Sequence, residues 1–242
     1  MISDTRKTRF DKHMRDDARS AFQPFFTVII PTYNRVKLLK RALNSLIAQH
    51  ESDWEAIIVD DESTDDTYAE LLPYLRLYDK IKYIKKNHSG EALTKNAGIA
   101  ASAGKFITFL DSDDEYDPTH LESRKNILTQ NPSFRFLYGG VKVIGNQYVP
   151  DRFNAAKKIN LSKCVIGGSF FIARNTLIAL EGFSEILLGP DADLFDRAKK
   201  AGIIMEKTTL KTYIYHHETM DSITNKIYSA QHSALGSRKS TV

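Results

Sequence analysis

The chain has 242 residues and a single cysteine, Cys164, so it can form neither an internal disulfide nor a multi-cysteine zinc site, and a reducing compartment fits better than secretion. No apolar run approaches the roughly 18 to 20 residues of a membrane span, and the N-terminus lacks the apolar core of a secretory leader. These absences read as a soluble, cytoplasmic protein. Charge of one sign is also scarce: 34 Lys and Arg against 30 Asp and Glu leave +4. That excess is too small for a protein living on nucleic-acid phosphates, and no basic helix or aromatic RNA-binding platform is visible, so no nucleic-acid partner is expected. The 42% of apolar residues excludes a disordered chain and is enough for one sizeable core.

Three stretches differ in texture. Residues 1–24 mix six basic with four acidic side chains, while Phe10, Met14, Ala18 and Phe22 fall four apart on one helical face. This amphipathic arm reads as a helix packed on its own domain or a partly ordered tail, or else as a peripheral contact with the cytoplasmic membrane face or another subunit. Residues 25–225 carry the domain, and residues 226–242 form a polar, Ser-rich tail. Within the domain, apolar strands at Thr27–Ile30 (halted by Pro31), Trp54–Val59, Lys82–Lys85 and Phe106–Leu110 alternate with helical patterns over Arg35–His50, around Tyr68–Leu72 and over Glu91–Ala103. Such alternation predicts an α/β fold with a mainly parallel sheet covered on both faces. Short strands at Phe134–Tyr138, Val141–Ile144, Ser169–Ala173 and Thr208–His216, with helices at Asn175–Glu181 and Asp191–Ala201, predict a mixed extension of the same sheet.

Open α/β sheets bind ligands beyond the carboxyl ends of their strands. Three strand ends here carry Pro31-Thr32-Tyr33-Asn34, Asp60-Asp61 and Asp111-Ser112-Asp113-Asp114, and all three are expected to line one crevice. Carboxylates placed directly after buried strands face a desolvation cost unless something positive is bound. Asp111 and Asp113, one residue apart, suit a hard divalent cation such as Mg2+ or Mn2+ that keeps positions open for phosphate oxygens. A turn with a helix cap is the plainer reading of the same residues.

In order and spacing, Phe26–Asn34, Glu55–Thr67, Lys95–Gly104 and Lys105–Asp114, followed by Gly167-Gly168, Gly182-Phe183 and Asp191–Arg197, resemble the family 2 inverting glycosyltransferases of GT-A fold. The resemblance covers roughly residues 25–225. It implies a nucleotide-sugar site in which Pro31, Thr32, Tyr33 and Asn34 form the first-strand loop, Tyr33 stacks on the base, and Asp61 accepts a uracil N–H, favouring UDP donors. Lys95 stands where the family often has Arg, without Arg's planar fork, and could reach base or phosphate. Asp111 and Ser112 would lie beside the ribose, and Asp113 would be the direct ligand of Mn2+ or Mg2+, with Asp111 close to the same ion. Asp191 aligns with the catalytic base, although Pro190 replaces the acid that usually precedes it. A helix N-terminus would help keep that base charged, and a simple helix cap is its plainer reading. Asp193 and Gly168 are expected on the acceptor side, with Gly167-Gly168 on the cleft floor or in a bulge between short strands.

Tyr215–Glu218 with Asp221–Thr224 resembles the family's late histidine segment. His217, rather than His216, is the expected partner of the metal or a phosphate, against an ordinary surface histidine. His88-Ser89-Gly90 reads as a donor-side loop or as a turn. The function so implied is inverting, metal-dependent transfer from a UDP-hexose or UDP-N-acetylhexosamine to a hydroxyl of a saccharide or lipid-linked acceptor, in the setting of bacterial surface polysaccharide. An inactive nucleotide-sugar-binding module is the rival. A sugar nucleotidyltransferase is a weaker one, because Pro31–Asn34 is not the Gly-rich basic loop it would need.

Overall fold

β1 (Phe26–Thr32) and β2 (Trp54–Asp60) are buried along their whole length, as strands covered on both faces must be. The computed structural model describes residues 23–151, 154, 157–186 and 188–218. Almost all of the N-terminal arm, the tail, and Asp221–Thr224 lie outside them. With β3 (Ile81–Lys85), β4 (Phe106–Phe109), β5 (Glu115–Tyr116), β6 (Phe136–Gly145), β9 (Phe171–Ala173) and β10 (Met205–His217), these strands form one eight-stranded sheet in the order β3-β2-β1-β4-β9-β6-β10-β5. The first four are parallel, β9 runs against both its neighbours, β6 and β10 are parallel, and β5 is antiparallel to β10. A separate hairpin joins β7 (Tyr148–Pro150) to β8 (Lys158–Asn160). The expected mixed extension of a parallel sheet is therefore present.

Alternate residues of β1 feed opposite cores. Val28 and Ile30 pack with Leu39, Leu43 and Leu46 of α1 (Val36–Ile47), with Leu71 of α2 (Thr67–Leu77) and with Leu121 and Leu128 of α4 (His120–Gln130). Ile29 packs on the other face with Ile99 of α3 (Glu91–Ala101), Leu177 of α5 (Arg174–Ala179) and Leu194 and Ala198 of α6 (Pro190–Lys200). The layers are thus helix, sheet, helix.

Two boundaries differ from the expectation. β1 does not stop at Pro31 but continues to Thr32, because β4 pairs with β1 only as far as Ile29 and the missing proline N–H falls where that ladder has ended. The two strands expected at Phe134–Tyr138 and Val141–Ile144 are one strand, β6, kinked at Gly139 and Gly140. Both glycines take positive φ, +88° and +72°, opposite a register shift in β10 between Thr208 and Tyr213. α4, β5 and the β7–β8 hairpin had no clear sequence signal.

Candidate active site

The three strand-end loops meet. Asn34, at φ +51°, accepts from the amides of Thr64 (2.8 Å) and Asp65 (3.3 Å) through Oδ1, and its own N–H donates to Ser63 Oγ at 2.9 Å. Its side chain therefore ties the β1 loop to the β2 loop. Arg35, the next residue, reaches Asp113 Oδ2 at 2.5 Å, and Arg41 of α1 donates to the Asp113 carbonyl. Pro31 and Thr32 lie in the last turns of β1, with Thr32 Oγ1 buried and without a hydrogen-bond partner.

On the β2 side, Asp61 is buried and its carboxylate is saturated. Oδ1 accepts from Lys86 Nζ at 2.8 Å and the Ser89 amide at 2.9 Å, and Oδ2 accepts from the Gly90 amide at 2.9 Å and lies 2.9 Å from His88 Nδ1. Burial would push this carboxyl up, but Lys86 and the amides of Ser89 and Gly90 outweigh it and hold it below the ordinary range. Tyr33, 44% exposed, lays its ring beside that of His88, with centroids 4.5 Å apart and planes 31° from parallel. The sequence reading puts His88-Ser89-Gly90 in a donor-side loop or a turn but assigns the His88 imidazole no role of its own.

Deeper in the crevice, three carboxylates act on one lysine. Lys95, buried in α3, pairs with Glu91 Oε1 at 2.5 Å and Asp111 Oδ1 at 3.1 Å. Its ammonium is held well above the ordinary lysine range, since Asp111, Glu91 and Asp191 together overcome the cost of burial. Burial pushes Asp111 up to about 6, with Lys95 opposing and Glu91, Asp113 and Asp191 adding to the rise. Ser112, between the two loop carboxylates, is buried. Glu91 escaped the sequence reading, although its spacing of four from Lys95 on a helix was a usable signal.

Asp191 opens α6, which Gly189 sets up in a left-handed conformation (φ +72°) with Pro190 in the first turn. Its Oδ2 accepts the Gly167 amide at 2.9 Å, while Oδ1 is buried with no hydrogen-bond partner. Burial pushes this carboxyl up; Lys95 lowers it, Glu91 raises it and the Gly167 amide lowers it, and the net shift is upward. A side chain on Gly167 would fall 2.5 Å from Asp191 Cγ and 2.6 Å from Oδ2, so only glycine lets the carboxylate approach so closely.

The remaining sequence candidates occupy bracing positions. Gly168 is buried in a 3-10 turn, where an added Cβ would lie 2.6 Å from Tyr213 Cε2, so it packs under that ring. Tyr213 in turn donates to the fully buried Asp114 at 2.6 Å, and the His216 amide donates to the other oxygen at 2.8 Å, fixing the acidic loop to β10. Asp193 Oδ2 accepts from Ser184 Oγ at 2.6 Å and Arg197 Nε at 2.8 Å, fastening α6 to the segment before it. His217 is buried, with Nδ1 2.7 Å from the Asn146 carbonyl and Nε2 without a partner; His216 instead pairs with Glu115 at 2.7 Å. Tyr213, Tyr215 and His217 share one face of β10. After burial, the charges of Asp114, Asp111, Asp113 and Asp191 push the Tyr215 phenol upward.

Among the described residues, no three His, Cys, Asp or Glu side chains converge as a ready-made metal cluster. The donor chemistry still fits a hard divalent cation. Asp111 and Asp113 come from one loop, offer oxygen ligands, and already stand against positive groups, Lys95 and Arg35. His217 Nε2 is a further buried nitrogen without a hydrogen-bond partner, on the β10 face it shares with Tyr213 and Tyr215.

Comparison with known proteins places this geometry. A GalNAc(5)-diNAcBac-PP-undecaprenol beta-1,3-glucosyltransferase of Campylobacter jejuni is 31% identical over 189 residues, covering 71% of this chain and 59% of that protein. A UDP-Glc:alpha-D-GlcNAc-diphosphoundecaprenol beta-1,3-glucosyltransferase of Escherichia coli is 29% identical over 157 residues, covering 63% of this chain and 61% of that one. The chain thus spans about 60% of the length of these two relatives. Among solved structures, residues 1–349 of S. aureus TarS in complex with UDP-GlcNAc match with a TM-score of 0.68 at 21% identity, over 82% of this chain and 60% of that fragment. A mannosyltransferase of Pyrobaculum calidifontis in complex with GDP-Man and Mn2+ matches with a TM-score of 0.69 at 20% identity, over 90% of this chain and 65% of that one. These two likenesses show the fold, that of GT-A glycosyltransferases. Residues 27–177, more than half of the chain, match the profile of glycosyl transferase family 2, and the chain belongs to that family.

Proposed function

We propose that the chain transfers a sugar, with inversion, from a UDP-linked donor to a hydroxyl of a saccharide or lipid-linked acceptor. The observation that carries the reading is Asp191: one oxygen is pinned by the Gly167 amide, and the other is buried without a partner at a helix N-terminus. A pinned carboxylate with one oxygen left without a hydrogen-bond partner is the arrangement a general base needs. As the acceptor oxygen bonds to the anomeric carbon, its proton passes to Asp191, and the bond from that carbon to the UDP oxygen breaks. Attack from the side opposite the leaving group inverts the centre.

Donor roles follow the loops. Tyr33 supplies a stacking face and Asp61 an acceptor for the base, while Pro31, Thr32 and Asn34 shape the loop that carries them. Asp113 with Asp111 would hold Mn2+ or Mg2+, which would neutralise charge on the departing diphosphate, and Lys95 opposes the rise that burial imposes on Asp111 and Asp191. Ser112 lies on the ribose side and His217 on the diphosphate side. Asp193 and Gly168 support the acceptor side by holding α6 and the 167–169 turn. The two glucosyltransferases named above carry undecaprenol-linked acceptors in their names, which favours a lipid-linked acceptor and polysaccharide synthesis for this chain too. Among the described residues no helix is long and apolar enough to cross a membrane.

A thermal-shift panel of UDP, GDP, CMP, ADP and dTDP, each with EDTA, Mg2+ or Mn2+, tests the donor assignment, because a ligand of the folded state raises its apparent stability. The expected result is a metal-dependent shift confined to UDP. A folded protein that no nucleotide shifts would favour the inactive-module reading instead.

A further inference from the structure

His88 stands in the place proposed above for the nucleobase. Its ring lies beside Tyr33 with centroids 4.5 Å apart, and its Nδ1 sits 2.9 Å from Asp61 Oδ2 and 3.2 Å from the Asp61 carbonyl oxygen. Facing two acceptors, Nδ1 carries the proton. The imidazole therefore offers a planar ring to Tyr33 and an N–H to Asp61, the same two features a uracil would offer with its own ring and N3–H. Asp61 has no acceptor site to spare, because its two oxygens already receive Lys86, Ser89, Gly90 and His88. A uracil N–H can enter only if one donor leaves. The Ser89 and Gly90 amides belong to the backbone that starts α3, and Lys86 is anchored further by the Asn87 carbonyl and Ser89 Oγ. The His88 side chain is 53% exposed, the freest of the four to swing into solvent.

We propose that His88 is an internal stand-in for the base, stacked on Tyr33 and bonded to Asp61, which uridine must displace to bind. The inference rests on the donor-site reading. It makes His88 a residue that tunes donor affinity, and removing the ring should tighten binding, whereas a wall of the base pocket would weaken binding when removed.

Uridine 5′-monophosphate without metal is the probe, because it reads the base site apart from the diphosphate and cation. Calorimetry on the full chain should give His88→Ala a Kd about 2- to 12-fold lower than the native protein, the equivalent of one net hydrogen bond. Imidazole ring resonances of His88 in the native protein should move to free-histidine positions as the nucleotide saturates. An unchanged or weaker affinity in His88→Ala, or an imidazole unmoved at saturation, overturns the proposal. Titration with UDP and Mn2+ separates the two levels: binding without a gain from His88→Ala removes this inference alone, whereas no binding to either protein removes the donor-site reading and the inference with it.

Discussion

Gly167→Ala probes the base assignment more selectively than changing the carboxylate itself. The added methyl would sit 2.5 Å from Asp191 Cγ and 2.6 Å from Oδ2, and ordinary contact begins near 3.4 Å. The carboxylate must therefore retreat by most of an ångström or rotate off the Gly167 amide, its one hydrogen bond at 2.9 Å. Gly167 does not need a glycine-only backbone, since it is not among the residues with positive φ. The effect is therefore one of space. A displacement of about 1 Å in a reacting group costs on the order of 100-fold in rate, about 2.7 kcal/mol of barrier.

The expected outcome is a kcat lower by roughly 100-fold, a Kd for UDP with Mn2+ within about 2-fold of native, and a modest loss of stability from the lost hydrogen bond, about 1 kcal/mol, read as a lower Tm. Steady-state transfer assays with a UDP-sugar, calorimetry with UDP and a melting curve together read all three. Gly168→Ala is the contrast. Its methyl would meet the buried Tyr213 ring rather than a reacting group, so it should act mainly on stability, by about 1 to 3 kcal/mol of overpacking, and lower the Tm accordingly. If Gly167→Ala keeps kcat within about 3-fold of native while folded, the close approach of Gly167 is not what positions Asp191, and the argument from geometry to base fails.

Further outcomes follow from the same site. Asp191→Asn should retain UDP binding and lose transfer by at least about 100-fold, the lower end of general-base effects; lost UDP binding would instead put Asp191 on the donor side. Asp113→Ala should abolish the Mn2+ dependence of UDP binding in a thermal-shift assay, and Arg35→Gln should strengthen Mn2+ binding measured by electron paramagnetic resonance without nucleotide, because Arg35 occupies Asp113 Oδ2 at 2.5 Å. The pH dependence of kcat/KM has a definite sign: a base must be ionised, so the rate falls as pH drops through the Asp191 pKa, and burial places that acid limb above the ordinary carboxylate range. Lys95→Met removes a charge that lowers this pKa, so the limb should move to higher pH, whereas Lys95→Arg should leave it near native; a limb that stays put or moves down in Lys95→Met would show that Lys95 does not act on the base.

The part of the fold built from long local signals was legible in the sequence. Thr27–Ile30, Trp54–Val59 and Phe106–Leu110 are apolar because both faces of the sheet are covered, and each was placed within a residue or two of β1, β2 and β4. α4 was not legible: its buried set includes His120 and Arg124, polar residues that a hydrophobic pattern cannot count as core. Arg124 is buried through bonds to the Leu210 carbonyl at 2.9 Å and the Gly139 carbonyl at 3.4 Å, contacts that exist only once the β6–β10 kink has formed. The site divides along the same line. Motif order brought Asp61, Asp111, Asp113 and Asp191 forward, but the partners Arg35, His88 and Gly167 lie 78, 27 and 24 residues from the groups they meet. No local pattern encodes such pairings.

Those distant partners have a common logic. Every carboxylate assigned to the donor or to catalysis is held by something the chain itself supplies: Asp61 by Lys86 and His88, Asp111 by Lys95, Asp113 by Arg35, and Asp191 by the Gly167 amide. Buried charges would otherwise oppose folding, since an unpaired ion away from water costs several kcal/mol. The partners differ in how readily they can leave. Lys95 is 2% exposed and bound on two sides, and Gly167 is backbone, so these two keep their carboxylates in place throughout a reaction. His88, at 53% exposed, can turn out to solvent. On the proposed donor assignment, Arg35 would exchange Asp113 for the diphosphate of the nucleotide. On this division, substrate binding replaces internal ions at the donor loops while the base stays fixed. The changes in affinity expected for His88→Ala and Arg35→Gln should accordingly appear without any change in the pH limb that reports Asp191.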